Sequence, residues 1–208
     1  MQAQPVKPQS REVLMDVFKS RRLVYQPMED SAEDREFFQK EIWNDPLIMA
    51  YGSNSMLRLL SKQKCNERIT GLLTAKNWLA CLICLPSAND VDEPTPIGFI
   101  MLSDSSTEHI RIGTVSICII SKYQGLGYGS ETMRWVIDWA FSFANLHRLQ
   151  LTSNSFNAAA IHIYKRCGFV EEGRKREAVY FANQYYDLVE MGILRREWMT
   201  DKETTFNV

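Results

Sequence analysis

Residues 116–133 read Ser116-Ile-Cys-Ile-Ile-Ser-Lys-Tyr-Gln-Gly-Leu-Gly-Tyr-Gly-Ser-Glu-Thr-Met133, and they leave few folds open. Ile117, Cys118, Ile119 and Ile120 form a short apolar, β-branched run that predicts a buried strand. The chain then turns through Gln124-Gly125-Leu126-Gly127-Tyr128-Gly129 and continues with apolar residues at Met133, Val136, Ile137, Ala140, Phe141 and Ala144. That spacing is one face of a helix. A strand feeding a glycine-rich turn at a helix N-terminus is a device for holding an anion. The first helical N–H groups lack intrahelical partners, and the dipole puts roughly half a positive charge there. Glycine at 125, 127 and 129 removes the side chains that would keep a phosphate off those N–H groups.

Two nucleotide-binding motifs do not fit the turn. A P-loop needs Gly-x-x-x-x-Gly-Lys-Ser/Thr, and no lysine follows Gly129. A dinucleotide fingerprint needs Gly-x-Gly-x-x-Gly, whereas counting from Gly125 puts Ser130 in the last place. The run also lies past the middle of the chain, after a strand-rich half, which suits neither. A plain structural turn with incidental glycines is the reading against which a functional one has to be weighed.

At 208 residues and 45% apolar content the chain can bury one core, and a single domain over 11–200 is expected between a disordered tail, 1–10, and a C-terminal tail, 201–208. A net charge of −1 offers no footprint for nucleic acid. The longest wholly apolar run, Trp78–Leu85, is too short for a membrane helix, and the N-terminus carries no signal-peptide core. The five cysteines (65, 81, 84, 118 and 167) have no second Cys/His pair at zinc spacing. Cys81 and Cys84 fall on opposite sides of a predicted strand, so buried free thiols are expected, and no metal. A cytoplasmic protein follows, monomeric or homodimeric, with no nucleic-acid or membrane partner.

In chain order, Arg11–Lys19 reads as a short helix (Val13, Leu14, Val17, Phe18) and Arg22–Pro27 as a strand ended by proline. Ser31 caps a helix with Glu33 and Asp34 in its first turn and Phe37, Phe38 and Ile42 inward, and Asp45-Pro46 breaks it. A second helix is expected over Asn54–Lys64 using Met56, Leu59 and Leu60. Trp78–Leu85 and Pro96–Leu102 read as antiparallel strands joined by an acidic, proline-rich loop. The fourth strand starts near His109, and its apolar parity switches across Gly113-Thr114, which predicts a β-bulge. After the glycine turn and long helix come a strand at Leu149–Thr152 and a helix capped by Asn157 and closed by Cys167-Gly168. Two strands, Arg174–Phe181 and Asp187–Leu194, finish a mixed α/β sheet.

A second motif stands on that next strand–helix unit, Asn157-Ala-Ala-Ala-Ile-His-Ile-Tyr164-Lys-Arg-Cys-Gly-Phe169. Gln124 to Gly129 matches Gln/Arg-x-x-Gly-x-Gly/Ala, and the later run matches Asn, Tyr and Gly-Phe in the same order and context. Together they resemble the GCN5-related N-acetyltransferase (GNAT) superfamily. His147-Arg148, Glu172-Gly173 and Glu197-Trp198 resemble its RimJ/RimL-like branch. The resemblance covers roughly residues 20–200. It implies a largely antiparallel sheet flanked by helices and splayed between strands four and five, where the pantetheine arm of acetyl-CoA lies. It also implies that backbone groups of Ile119, Ile120 and Ser121 meet the pantetheine. On the same resemblance Gln124, Gly125, Leu126, Gly127, Tyr128, Gly129 and Ser130 are expected to hold the pyrophosphate, and Asn157 to contact the cofactor arm. An N–H near Ile119 polarises the thioester carbonyl, an effect worth about 3 kcal/mol. Tyr164 serves the departing thiolate. A phenol near ~10 against a thiol near ~8.5 makes full proton transfer uphill by about 2 kcal/mol, so a strengthening hydrogen bond is expected.

The general base is where the chain departs from better-understood members. A glutamate eleven residues before the Gln/Arg of the glycine motif becomes Gly113, and one five residues before the motif asparagine becomes Thr152. Glu108, His109 and His162 remain as bases acting through water, against blander lives as surface groups. Deprotonating a lysine-like amine at pH 7 costs about 4–5 kcal/mol, an α-amine about 1 kcal/mol. The expected activity is therefore direct acetyl transfer from acetyl-CoA to a peptide N-terminal α-amine. A polyamine or other small amine is the alternative, favoured if Asp90, Asp92 and Glu93 of the 86–95 loop make an acidic mouth. A domain that senses CoA without turnover is the third reading.

Overall fold

The computed structural model describes residues 14, 16–52, 56–87, 89, 93–105, 107 and 109–206, with side chains as far as 200. The expected 1–10 tail lies outside them, as do residues 11–13 and 15 of the expected Arg11–Lys19 helix; of the rest only Leu14 is helical, Asp16–Phe18 form a turn, and Lys19 bridges Val24. Strand β1 (Val24–Pro27) ends at its proline. Helix α1 (Ala32–Phe37) starts at Ser31, whose hydroxyl accepts the Asp34 N–H, and closes in a π-helical turn, Phe38–Ile42, that buries Phe38 and Ile42.

The next segment differs from expectation. The first helix ends before Asp45-Pro46 as expected, but a helix not expected there, α2 (Pro46–Gly52), begins at that proline, because Asp45 Oδ1 accepts the N–H groups of Leu47 and Ile48 while Pro46 needs no acceptor. Met56 and Leu59 are 74% and 87% exposed and lie in no helix. Leu60 is buried, its backbone clamped by both ends of the Asn44 amide, and α3 (Lys62–Thr74) begins only after the Ser61 cap.

Strands β2 (Asn77–Leu85), β3 (Thr95–Asp104) and β4 (Ile112–Ile119) follow as an antiparallel meander. The bulge predicted at Gly113 does not form: β4 pairs β3 in unbroken register from Gly98↔Ile119 to Asp104↔Gly113. Of the two even-numbered residues behind that prediction, Ile110 belongs to the turn before the strand, its N–H bonded to the Thr107 carbonyl, and Ile112 is the first residue of β4. Helix α4 (Tyr128–Ser142), β5 (Arg148–Asn154), α5 (Ala158–Arg166), β6 (Val170–Phe181) and β7 (Gln184–Leu194) complete the expected order. A last helix, α6 (Arg195–Phe206), is not foreseen in the sequence and runs into the expected C-terminal tail.

The seven strands lie in the order β1-β2-β3-β4-β5-β7-β6, parallel only at β4–β5. One core joins the sheet to α4 and α5 through Met133, Val136, Ile137, Ala140, Phe141 and Ile161; α6 adds Trp198. The other joins the opposite face to α1, α2 and α3 through Phe38, Ile42, Ile48 and Ile69. Cys81 packs in the first core and Cys84 in the second, and all five cysteines are free. No helix among the described residues is long and apolar enough to cross a membrane.

Candidate active site

Strand β4 is paired along its whole length on one side and hardly at all on the other. Its contact with β5 stops after Ile112↔Arg148, Gly113↔Leu149 and Thr114↔Gln150, because β5 is drawn along β7 from Arg148↔Leu194 to Asn154↔Leu188. A wedge therefore opens between residues 115–119 and 151–154.

Backbone alternation fixes which groups face it. The Ile120 N–H bonds the Ile97 carbonyl, so even-numbered residues of β4 pair with β3. The Arg111 carbonyl accepts from His147, so odd-numbered residues face β5. Val115, Ile117 and Ile119 thus present N–H and C=O groups to the wedge with no strand opposite. The three expected backbone contacts separate here. Ile119 faces the wedge, and its carbonyl accepts the Gln124 side-chain amide at 2.9 Å. The Ile120 N–H is spent on β3 and its carbonyl on the Tyr123 N–H. Ser121 gives its carbonyl to the Gln124 N–H and its hydroxyl, at 2.7 Å, to Asp45 Oδ2.

The glycine turn lies at the end of β4. Gly125 and Gly127 take φ of +75° and +83°, a region only glycine enters freely, and Gly127 caps α4. The first intrahelical bond runs from the Glu131 N–H to the Gly127 carbonyl, which leaves the N–H groups of Tyr128, Gly129 and Ser130 without a backbone acceptor among the described residues. Unspent donors, a helix dipole and bare glycines fit a pyrophosphate, and an extended pantetheine fits the unpaired edge of β4.

Tyr164 lies on the helix after β5, near enough to β4 for the Cys118 thiol to act on it. Its helix starts at Asn157, whose Oδ1 accepts the Ala160 N–H and whose amide donates to the Tyr51 carbonyl of α2, so the asparagine is at least a cap and a tie to the front helices. At the other end Gly168, at φ +92°, closes a Schellman motif: Phe169 N–H to Tyr164 carbonyl and Gly168 N–H to Lys165 carbonyl. The Tyr–Gly–Phe spacing is therefore a brace for Tyr164 itself. Burial pushes the Tyr164 phenol up to about 12, with the Cys118 and Cys167 thiols adding to it. Burial likewise pushes the Cys118 thiol, on β4, up to about 12, which keeps it protonated and a poor nucleophile.

The expected bases disperse. Gly113 points into the core, where a Cβ would lie 2.6 Å from Leu102 and 2.9 Å from Leu146, so a larger side chain would have to displace both leucines. Thr152 is exposed, and Glu108 lies outside the described residues. His109 precedes the far end of β4 from Ile119, and His162 is exposed, two residues and so about 200° around α5 from Tyr164. Asp45, read in the sequence only as part of a helix break, is a carboxylate held at the turn after β4. Burial would push it up, but the Ser121 hydroxyl and two α2 N–H groups outweigh that and hold it below the ordinary aspartate value. Its sequence signal is Asp-Pro, a helix cap followed by a first-turn proline.

A family model described as the acetyltransferase (GNAT) domain matches residues 22–170. The spermidine N(1)-acetyltransferase of Vibrio cholerae is 32% identical over 107 residues, 51% of this chain and 61% of that protein. A putative ribosomal N-acetyltransferase of Bacillus subtilis is 29% identical over 92 residues, 44% of this chain and 50% of that protein. These alignments span between half and 61% of the relatives' length. The crystal structure of the V. cholerae spermidine N-acetyltransferase with CoA and spermine shares the fold, with TM-score 0.72 over 86% of this chain and 98% of that one at 24% identity. A match that begins just before β1 and ends at the first residue of β6 takes in both the glycine turn and the helix of Tyr164, and the chain belongs to the GNAT acetyltransferase family.

Proposed function

We propose that the protein is an acetyl-CoA-dependent N-acetyltransferase that acts on a primary amine by direct attack. The observation that carries this reading is the wedge. The Ile119 N–H has no strand opposite it, the glycine turn lies at the end of β4, and the braced Tyr164 lies near enough to β4 for the Cys118 thiol to act on its phenol. Acetyl-CoA supplies an acyl carbon activated by its thioester. Gln124 to Ser130 hold its phosphates, and Val115, Ile117 and Ile119 align its arm. The Ile119 N–H is directed where charge develops on the carbonyl oxygen. As nitrogen bonds to carbon and the C–S bond breaks, the Tyr164 hydroxyl donates to the departing sulfur, while the proton shed by the nitrogen passes to solvent, which returns one to the phenol. From a phenol at about 12 to an ordinary thiol, complete transfer is uphill by about 5 kcal/mol, so the hydrogen bond does most of the work and the proton passes late.

The acceptor we infer is an α-amine. Asp45, held low by three hydrogen bonds, is a weak base but a lasting anion, suited to an amine that is already partly neutral near pH 7. Two carboxylates of β7 are engaged: Glu190 with Lys175, and Asp187 with Arg174 and the Glu177 N–H. A polyamine is the second reading, favoured by the spermidine named for the V. cholerae relative. Thiol release from acetyl-CoA against peptides of varied N-terminus, internal-lysine peptides and spermidine tests both. Turnover with α-amines alone is expected. Turnover with spermidine alone would replace the first reading by the second, and tight acetyl-CoA binding without turnover would leave a sensing domain.

A further inference from the structure

One cation and one carboxylate meet behind the glycine turn, and neither is used above. Glu131 sits in the first turn of α4, its side chain only 13% exposed. Arg22, two residues ahead of β1, meets it twice: Nε donates to Oε2 at 2.8 Å and the backbone N–H to Oε1 at 2.7 Å. The Ser20 hydroxyl also donates to Oε1, at 2.8 Å. The same guanidinium donates through Nη1 to the Leu126 carbonyl at 3.0 Å, stacks 4.5 Å from the centre of the Tyr128 ring, and stands 3.4 Å from where a Cβ on Gly127 would be. Two residues of the turn, Leu126 and Tyr128, are therefore held by one side chain that also passes beside Gly127, and Leu126 lies 104 positions further along the chain.

Two physical consequences follow. Burial would push the Glu131 carboxyl up, but the hydrogen bonds from Ser20 and Arg22 outweigh it and hold it below the ordinary glutamate value. A charged carboxylate one helical turn from a pyrophosphate repels it well within a Debye length of about 8–10 Å, unless a cation cancels it. Second, a peptide unit is planar and trans, so fixing the Leu126 carbonyl on Arg22 turns the Gly127 N–H the opposite way, out of the guanidinium's side of the turn.

We infer that Arg22 is a positioning residue for the acetyl-CoA phosphates: it cancels the charge of Glu131 and sets the Leu126–Gly127 peptide, so the turn presents N–H groups and no net negative charge. This rests on reading the turn as the pyrophosphate site. A lysine cannot replace the fork, because a single ammonium does not span Glu131 and Leu126 at once.

The test compares wild type, Arg22→Lys, Arg22→Gln, Glu131→Gln and the double variant Arg22→Gln/Glu131→Gln. Acetyl-CoA affinity is measured by calorimetry, and turnover with acetyl-CoA and with S-acetylpantetheine, which carries no phosphate. Arg22→Gln raises the acetyl-CoA Kd and KM at least tenfold with kcat at saturation within twofold, and Arg22→Lys falls between it and wild type. Glu131→Gln binds at least as tightly as wild type, and the double variant returns to within about threefold of it. S-acetylpantetheine turnover is the same in all five. An Arg22→Gln Kd within twofold of wild type overturns the inference, as does a double variant no tighter than Arg22→Gln, or an S-acetylpantetheine rate that falls with acetyl-CoA affinity, since a role in folding alone would do that. Wild type that fails to bind acetyl-CoA overturns instead the pyrophosphate reading beneath it.

Discussion

Tyr164 is the residue on which the proposed chemistry turns, and its surroundings make it a donor rather than an acid. Tyr164→Phe removes only the hydroxyl, so kcat should fall at least tenfold while the acetyl-CoA Kd stays within a few fold. Unchanged turnover would remove Tyr164 from the mechanism. With its phenol pushed up to about 12, the donor keeps its proton far above neutrality, and no decline in kcat should arise from it below about pH 10. A fall in kcat centred near the ordinary phenol value, abolished in Tyr164→Phe, would contradict that environment. The motif spacing around Tyr164 is legible in the sequence because each device closes within six residues: the Asn157 cap reaches Ala160, and the Schellman motif reaches from Phe169 back to Tyr164. Arg22 is illegible for the opposite reason. Its partners are 104 and 109 residues away, and a lone arginine before a strand carries no local signal.

Among the elements, β4 does the most and tolerates the least. It must lie flat on β3 while leaving its other edge bare, and Gly98 is what permits the close approach. A Cβ there would stand 2.1 Å from the Cys118 carbonyl oxygen, a backbone atom that cannot swing aside. Gly98→Ala should cost about 1–3 kcal/mol, read as a lower denaturation midpoint, and should lower turnover with it because Ile119 lies directly opposite residue 98. An alanine variant as stable and active as wild type would show that the strands part without consequence. The front helices show where periodicity misleads. Met56, Leu59 and Leu60 have helical spacing, yet the Asn44 amide holds Leu60 in an extended clamp and leaves the other two exposed. The caps at Asp45 and Ser61 are the better guide, because a cap is a short-range hydrogen bond, whereas an apolar spacing is only an invitation to pack.

For the molecule as a whole, buried phenols and thiols tie stability to alkaline pH. Burial raises Tyr25, Tyr164, Cys81, Cys84 and Cys118 to about 12. Below their ordinary values both folded and unfolded chains hold these protons and stability is indifferent to pH. Above about 9 for thiols and 10 for phenols the unfolded chain releases protons that the folded chain keeps, so stability falls as pH climbs towards 12. Melting temperature should be level near pH 8 and drop steadily from about pH 9 to 11; a level profile to pH 11 would mean these groups are not buried in solution. By itself the sequence determined the order of most elements, the strand–turn–helix that can hold an anion, and the helix that carries Tyr164, since each is written in neighbouring residues. Only the tertiary structure decided that β5 leaves β4 after three residue pairs to follow β7, that Asp45 reaches Ser121 across 76 positions, and that Gly113 faces two leucine side chains in the core. Those outcomes are competitions between surfaces far apart in the chain, and they are settled only when the layers pack.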